Sequence, residues 1–143
     1  MKQPKEWEPR VNALIKKAEA APLTEAAVYC YAQALHHIPE PIEESTYATQ
    51  IYTALGEIHF LRGDDEKAFQ SFHSAIRCQG GLGLSHIHLR LGQLRLARGE
   101  TERARDELMR AYMGSGLKIF DGEDPKYYAL IKDIVEVGSR SDT

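Results

Sequence analysis

Two stretches of the chain share one layout: Arg62-Gly63-Asp64-Asp65-Glu66-Lys67-Ala68 and Arg98-Gly99-Glu100-Thr101-Glu102-Arg103-Ala104. In each, a segment with helical spacing stops at a glycine, the residue that most readily takes the left-handed conformation closing a helix. Acidic residues follow, placed where they meet the positive end of the next helix dipole. Both stretches therefore read as the turn of a helix–turn–helix. The acids have a local structural role there and are poor candidates for catalytic carboxylates.

Superposing the turns brings out a repeat of 36 residues. Leu55-Gly56 falls on Leu91-Gly92 and Tyr52 on His88, while Ala68, Phe72 and Ala75 fall on Ala104, Leu108 and Ala111. An earlier unit keeps the second half of the pattern as Ala27, Tyr31 and Ala34, followed by Pro39. Working outward, apolar residues at three- and four-residue spacing predict helices near 7–20, 24–38, 46–62, 65–79, 84–98, 101–114 and 124–137. The last opens on Asp124-Pro125, a capping residue followed by a proline at the first helical position. Strand signals are almost absent.

The layout resembles the tetratricopeptide repeat, a helix–turn–helix unit with the pattern W-x₂-L-G-x₂-Y…A-x₃-F…P. The middle unit supplies Tyr52-x₂-Leu55-Gly56-x₂-His59 and then Ala68-x₃-Phe72. The third supplies His88-x₂-Leu91-Gly92-x₂-Arg95 and then Ala104-x₃-Leu108. The resemblance covers residues 8–116. It implies an all-α fold: three stacked hairpins (about 8–39, 46–80 and 84–116) in a short right-handed solenoid, with a C-terminal capping helix over about 124–137. The whole chain, 1–143, is expected to form one domain. Gly56 and Gly92 should lie where paired helices approach closest, with Phe72 and Leu108 filling the space between hairpins. The first unit departs from the pattern. It has Leu14-Ile15 in place of Leu-Gly, Pro22 in place of a turn glycine, and extra residues around Pro39–Ser45.

Composition excludes several classes. The 143 residues carry a net charge of −3, so no global attraction to nucleic acid is expected. The arginines between Arg90 and Arg110 are interleaved with Glu100, Glu102, Asp106 and Glu107, which reads as a solvated helix face. The N-terminal Met1-Lys2-Gln3-Pro4-Lys5-Glu6-Trp7 has no apolar signal-peptide core, and no run is long enough to span a membrane, so a cytoplasmic protein is expected. Cys30 and Cys78 stand outside any Cys-x-x-Cys pairing and read as small packing residues. Neither His36-His37 nor His86/His88 has the i, i+4 spacing of metal ligands on one helix face. Gly80-Gly81-Leu82-Gly83 lacks both a preceding strand and a following Gly-Lys-Ser/Thr, so it reads as a loose turn between repeats rather than a phosphate loop. No enzyme activity, metal or cofactor is expected.

In the family that the chain resembles, the first helices of successive hairpins line a concave groove that receives a partner protein. Carried over by register, the groove residues are Gln50, Thr53, Glu57 and Phe60, then His86, Leu89, Gln93 and Leu96. Two arrangements stay open: an exposed groove, or a closing helix folded back over its apolar members. A subset of the family grips carboxylate-terminal tails with Lys, Asn and Arg side chains. The matching positions here are Asn12, Lys16, Ala54, His86 and Arg90, of which only Arg90 agrees. The string Ile119-Phe120-Asp121-Gly122-Glu123-Asp124-Pro125-Lys126-Tyr127 looks like the end of small stand-alone bacterial repeat proteins, some of which resemble immunity partners of secreted toxins. The expectation is a non-catalytic module that binds another protein, in its most specific form an immunity protein sequestering a toxin. The alternatives are an adaptor or secretion-type chaperone holding an extended peptide, and a self-associating scaffold.

Overall fold

The computed structural model describes residues 5–141, with side chains through residue 138. Met1–Pro4, part of the stretch tested for signal-peptide character, lie outside the described residues. Eight α-helices and three short 3-10 turns make up the described residues, with no strand among them. The helices are α1 Glu8–Glu19, α2 Glu25–His37, α3 Thr46–Leu61, α4 Asp65–Arg77, α5 Ser85–Ala97, α6 Thr101–Ser115, α7 Pro125–Ala129 and α8 Lys132–Ser141. Their contacts gather into two compact units, Met1–Leu82 and Gly83–Thr143.

The first unit holds two helical hairpins, α1 with α2 and α3 with α4. Its core joins Val11, Ile15 and Ala18 of α1 to Ala27, Tyr31 and Ala34 of α2 and to Ala48, Ile51 and Leu55 of α3. The 3-10 turn Ile42–Glu44 leads into α3. Thr49 Oγ1 donates to the Gln79 carbonyl at 2.7 Å, tying the start of α3 to the end of α4. Gly56 sits on α3 facing Phe72, and a Cβ there would lie 2.7 Å from the Phe72 ring. That close approach is why the position is glycine. Phe72, fully buried, thus packs onto the other helix of its own hairpin.

The turn from α3 to α4 follows the sequence expectation. The Asp64 amide donates to the His59 carbonyl (2.8 Å) and the Gly63 amide to Phe60 (3.1 Å), closing α3 through a left-handed Gly63 with φ +81°. Asp64 then caps α4, its Oδ1 accepting from the Lys67 amide. The segment 80–83 is not loose. Gly81 is buried, and a Cβ on it would fall 1.8 Å from the Ala75 carbonyl oxygen, so the backbone itself packs against the end of α4.

Cys30 and Cys78 are free thiols, each about 5% exposed. Burial, with a smaller contribution from the charge of Glu43, pushes the Cys78 thiol up. Since the thiolate is the reactive form, both cysteines should react with a disulfide reagent far more slowly in native protein than in urea. A time course of aromatic disulfide reduction checks this, and prompt native reactivity of either thiol would show that its helix packing opens readily.

The second unit holds the α5–α6 hairpin and the C-terminal segment. Its turn repeats the first: Glu100 N–H to Arg95 (3.0 Å), Gly99 N–H to Leu96 (2.9 Å), and Gly99 at φ +79°. Here Glu100 makes no side-chain cap and instead pairs with Arg95 (3.1 Å) and Arg103 (3.3 Å). A Cβ at Gly92 would lie 2.7 Å from Leu108, the counterpart of Gly56 on Phe72. The expected capping helix over 124–137 is instead two short helices broken at Leu130–Ile131. The amides of both residues bond three residues back, to Tyr127 and Tyr128, and Arg105 Nε donates to the Leu130 carbonyl at 3.1 Å. This tight turn drops Ile131 into a core with Leu89, Leu108 and Ala111.

Candidate partner-binding surface

On α3 the row Gln50, Thr53, Glu57 and Phe60 recurs at three- and four-residue spacing, which puts one residue per turn on a common face. Gln50 is exposed and the other three are half-buried, so the row stays at the surface of the first unit. The Thr53 hydroxyl donates to the Thr49 carbonyl at 2.7 Å.

Beside this row lies an apolar hollow of about 280 Å³, walled chiefly by Pro22, Leu23, Tyr31, Ala54 and Ile58, with Glu19 and Glu57 also lining it. Burial, and secondarily the charge of Glu19, pushes the Tyr31 hydroxyl above its ordinary value. Leu23 has φ +62° and is 47% exposed. It immediately precedes Thr24, whose side chain caps α2 by accepting from the Ala27 amide at 3.1 Å. Gly63 and Gly99 hold the same place before Asp64 and Glu100. Leu23, rather than Pro22, thus stands where the other hairpins have their left-handed glycine. A leucine there carries a conformational cost of roughly 1–2 kcal/mol and projects an apolar side chain into solvent. The sequence reading missed Leu23. Counting back from the helix caps, instead of from the ends of the first helices, would have found it.

A larger cleft of about 610 Å³ lies elsewhere on the first unit, between the start of α1, the 38–41 connection and the start of α3. Trp7 and Tyr47, both in its lining, meet edge to face with ring centroids 5.7 Å apart.

The α5 row differs. His86 and Leu96 are half-buried, whereas Leu89, Arg90 and Gln93 are withdrawn from solvent. Leu89 belongs to the core with Ile131, so within this unit the C-terminal segment lies over that apolar position. Arg90 Nη1 donates to Gln93 Oε1 at 2.9 Å and to Glu123 Oε1 at 3.3 Å, and Gln93 Nε2 donates to the same Glu123 oxygen. His88 meets Glu107 at 2.7 Å, both largely buried. The solvated-face reading of Arg90–Arg110 is therefore corrected for Arg90 and Arg95, which are sheltered in ion pairs, while Arg98, Arg103 and Arg110 are exposed. The 119–127 string also acquires structural reasons. Glu123 receives Arg90 and Gln93, Asp124 caps α7 through the Lys126 amide (2.9 Å), and Phe120 packs on Tyr128 at 5.6 Å.

Of the carboxylate-grip positions, Asn12 donates to the Tyr47 hydroxyl at 3.3 Å and Arg90 is occupied as described. Among the described residues no group of three or more His, Cys, Asp or Glu is placed to hold a metal ion, and no helix is long and apolar enough to cross a membrane. Among known proteins, no family model matches the chain and no curated protein does.

Proposed function

We propose that the chain is a non-catalytic module that binds another protein through the α3 face of its first unit, around Leu23. The observation that supports this reading is Leu23 itself: an exposed leucine in a backbone conformation that the equivalent turns give to glycine. Backbone strain kept at a surface position is characteristic of recognition sites. The apolar hollow beside it, and the Gln50–Phe60 row along it, supply the mixed surface that a protein partner needs. The repeat register implies, as part of the same proposal, hairpins of tetratricopeptide type in a short solenoid. In its most specific form the partner is a toxin domain that the chain sequesters as an immunity protein, blocking it by occlusion.

Leu23→Gly is expected to raise stability slightly, by up to about 1 kcal/mol, as the left-handed strain is relieved, and yet to weaken partner binding. Tagged wild type and Leu23→Gly would be used for capture from native cells, with sizing of the eluate and thermal melts of both proteins. A stoichiometric folded partner lost in the variant supports the proposal, and rescue of growth against that partner supports the immunity form. An unfolded segment as the captured species would favour the chaperone alternative, and self-copies alone would favour the scaffold. A partner held equally by both proteins would overturn the assignment of this face.

A further inference from the structure

The cleft of about 610 Å³ on the first unit shares no lining residue with the hollow beside Leu23, and aromatic, proline and charged side chains line it together. We propose that this cleft is a second docking site, for a proline-rich segment of another protein that carries arginine or lysine beside its prolines. The segment lies in the extended polyproline conformation, its rings on Trp7 and Tyr47 and its cations at Glu40 and Glu44.

Trp7 and Tyr47 are both half-buried, and their planes stand at 80° to one another with centroids 5.7 Å apart. The Tyr47 hydroxyl is also held by the Asn12 side-chain amide, which donates to it at 3.3 Å. Rings fixed before a ligand arrives lose little freedom on binding. Pro39 and Pro41, whose own rings lock φ, stiffen the adjoining wall. Aromatic-lined grooves receive polyproline segments because that backbone is likewise preformed. It makes no internal hydrogen bonds, so its carbonyls need donors from outside. The Trp7 indole N–H, which can only donate, is one.

Charge sets the sign of the flanking residues. Among the described side chains that line the cleft, Glu8, Glu40 and Glu44 are acids, and Lys5 is the one cation, held by Glu8 at 3.5 Å. Glu40 accepts from the Ile42 amide at 3.2 Å, and both Glu40 and Glu44 are exposed. An acidic ligand would be repelled. A purely apolar one would strip water from the carboxylates and return no counter-charge. Arginine or lysine beside the prolines answers them, and a guanidinium can also lie over an aromatic ring.

The test titrates three synthetic peptides of equal length into the full chain: prolines and leucine flanked by arginines, the same with glutamate for each arginine, and the same with glycine for each proline. Binding is read by calorimetry and by the emission of Trp7, the single tryptophan. The expected result is saturable binding of the proline–arginine peptide with a change in Trp7 emission. The glycine peptide should bind about tenfold more weakly, and the glutamate peptide not at all. Glu44→Lys, at an exposed position of a short 3-10 turn, should weaken the first peptide about tenfold with the circular dichroism spectrum unchanged. Glu44→Gln, a milder second variant, should weaken it about threefold, and Leu23→Gly should bind it as wild type does. The proposal is overturned if the proline–arginine peptide does not bind or if either control peptide binds as tightly. It is equally overturned if Glu44→Lys stays within about threefold of wild type, or if Leu23→Gly weakens binding, which would place the peptide at the other surface. The Leu23 surface is judged by capture of the natural partner, so the two readings fail separately.

Discussion

Phe72→Ala is expected to lower the unfolding free energy by about 3–5 kcal/mol, the cost of emptying a large aromatic site in a packed interior. Phe72 is fully buried and its ring lies flat against the helix position kept clear by Gly56. Since a domain of this size holds only about 5–15 kcal/mol in total, the variant should be partly unfolded at modest urea. The reciprocal change, Gly56→Ala, brings a methyl group to 2.7–2.8 Å from three ring atoms. Overpacking of that kind costs about 1–3 kcal/mol, against a gain of about 1 kcal/mol from replacing a helical glycine. The two changes should be coupled. In a Phe72→Leu background the shorter side chain leaves room for the new methyl, and Gly56→Ala should then become neutral or stabilising. Urea titrations followed by the emission of Trp7, the single tryptophan and a residue of the same unit, measure all four corners of the cycle. Additive effects would mean that Phe72 moves aside freely, contrary to a tightly packed hairpin.

That hairpin was readable from sequence because its determinants are local. Gly63 ends α3, Asp64 starts α4, and Gly56 with Phe72 fixes how closely the two helices meet; Gly99 and Gly92 recur at the same spacing in the α5–α6 hairpin, with Glu100 for Asp64 and Leu108 for Phe72. Caps and small-residue contacts need only neighbours within one hairpin, so a repeat in the sequence becomes a repeat in the structure. The break at Leu130–Ile131 was not readable in the same way. Tyr127, Tyr128, Leu130, Ile131 and Ile134 have the spacing of one amphipathic helix, but burying Ile131 against Leu89 requires a turn that only the tertiary contact dictates.

Which residues of the row stay at the surface was legible on α3 and not on α5. Register carried the row from Thr53 and Glu57 to Leu89 and Gln93, assuming that equivalent positions share an environment. In α5 eight consecutive residues, Ile87 to Leu94, are buried, so the helix has no solvent face along that run. One sign of this is in the sequence: leucines at 89, 91, 94 and 96 surround the helix instead of marking one stripe, the pattern of a helix buried on all sides. Polar residues in such a helix must find partners inside the protein. His88, Arg90 and Gln93 do so through Glu107 and Glu123, and which acids would serve could not be read from spacing, because Glu123 arrives from beyond the repeat.

Glu123→Ala should therefore be among the most damaging changes in the second unit, although glutamate in a turn would ordinarily be replaceable. Its carboxylate receives Arg90 Nη1 and Gln93 Nε2 while only about a fifth exposed, and the Arg90 side chain is about 10% exposed. Removing one partner of a buried ion pair costs about 3–5 kcal/mol. The Gln93 oxygen still accepts from Arg90 at 2.9 Å, which brings the expectation for Glu123→Ala down to about 2–3 kcal/mol. Glu123→Gln keeps an oxygen acceptor for both donors and loses only the charge, so it should cost about half as much. Replacing the charges together, as Arg90→Met with Glu123→Leu, should recover most of the loss, since an apolar pair needs no counter-ion. Amide exchange localises the effect: protection at Ile119, Leu130 and Ile131 should fall in Glu123→Ala and return in the double variant. If exchange there is unchanged while global stability drops, the carboxylate serves α5 alone and does not hold the C-terminal segment over Leu89.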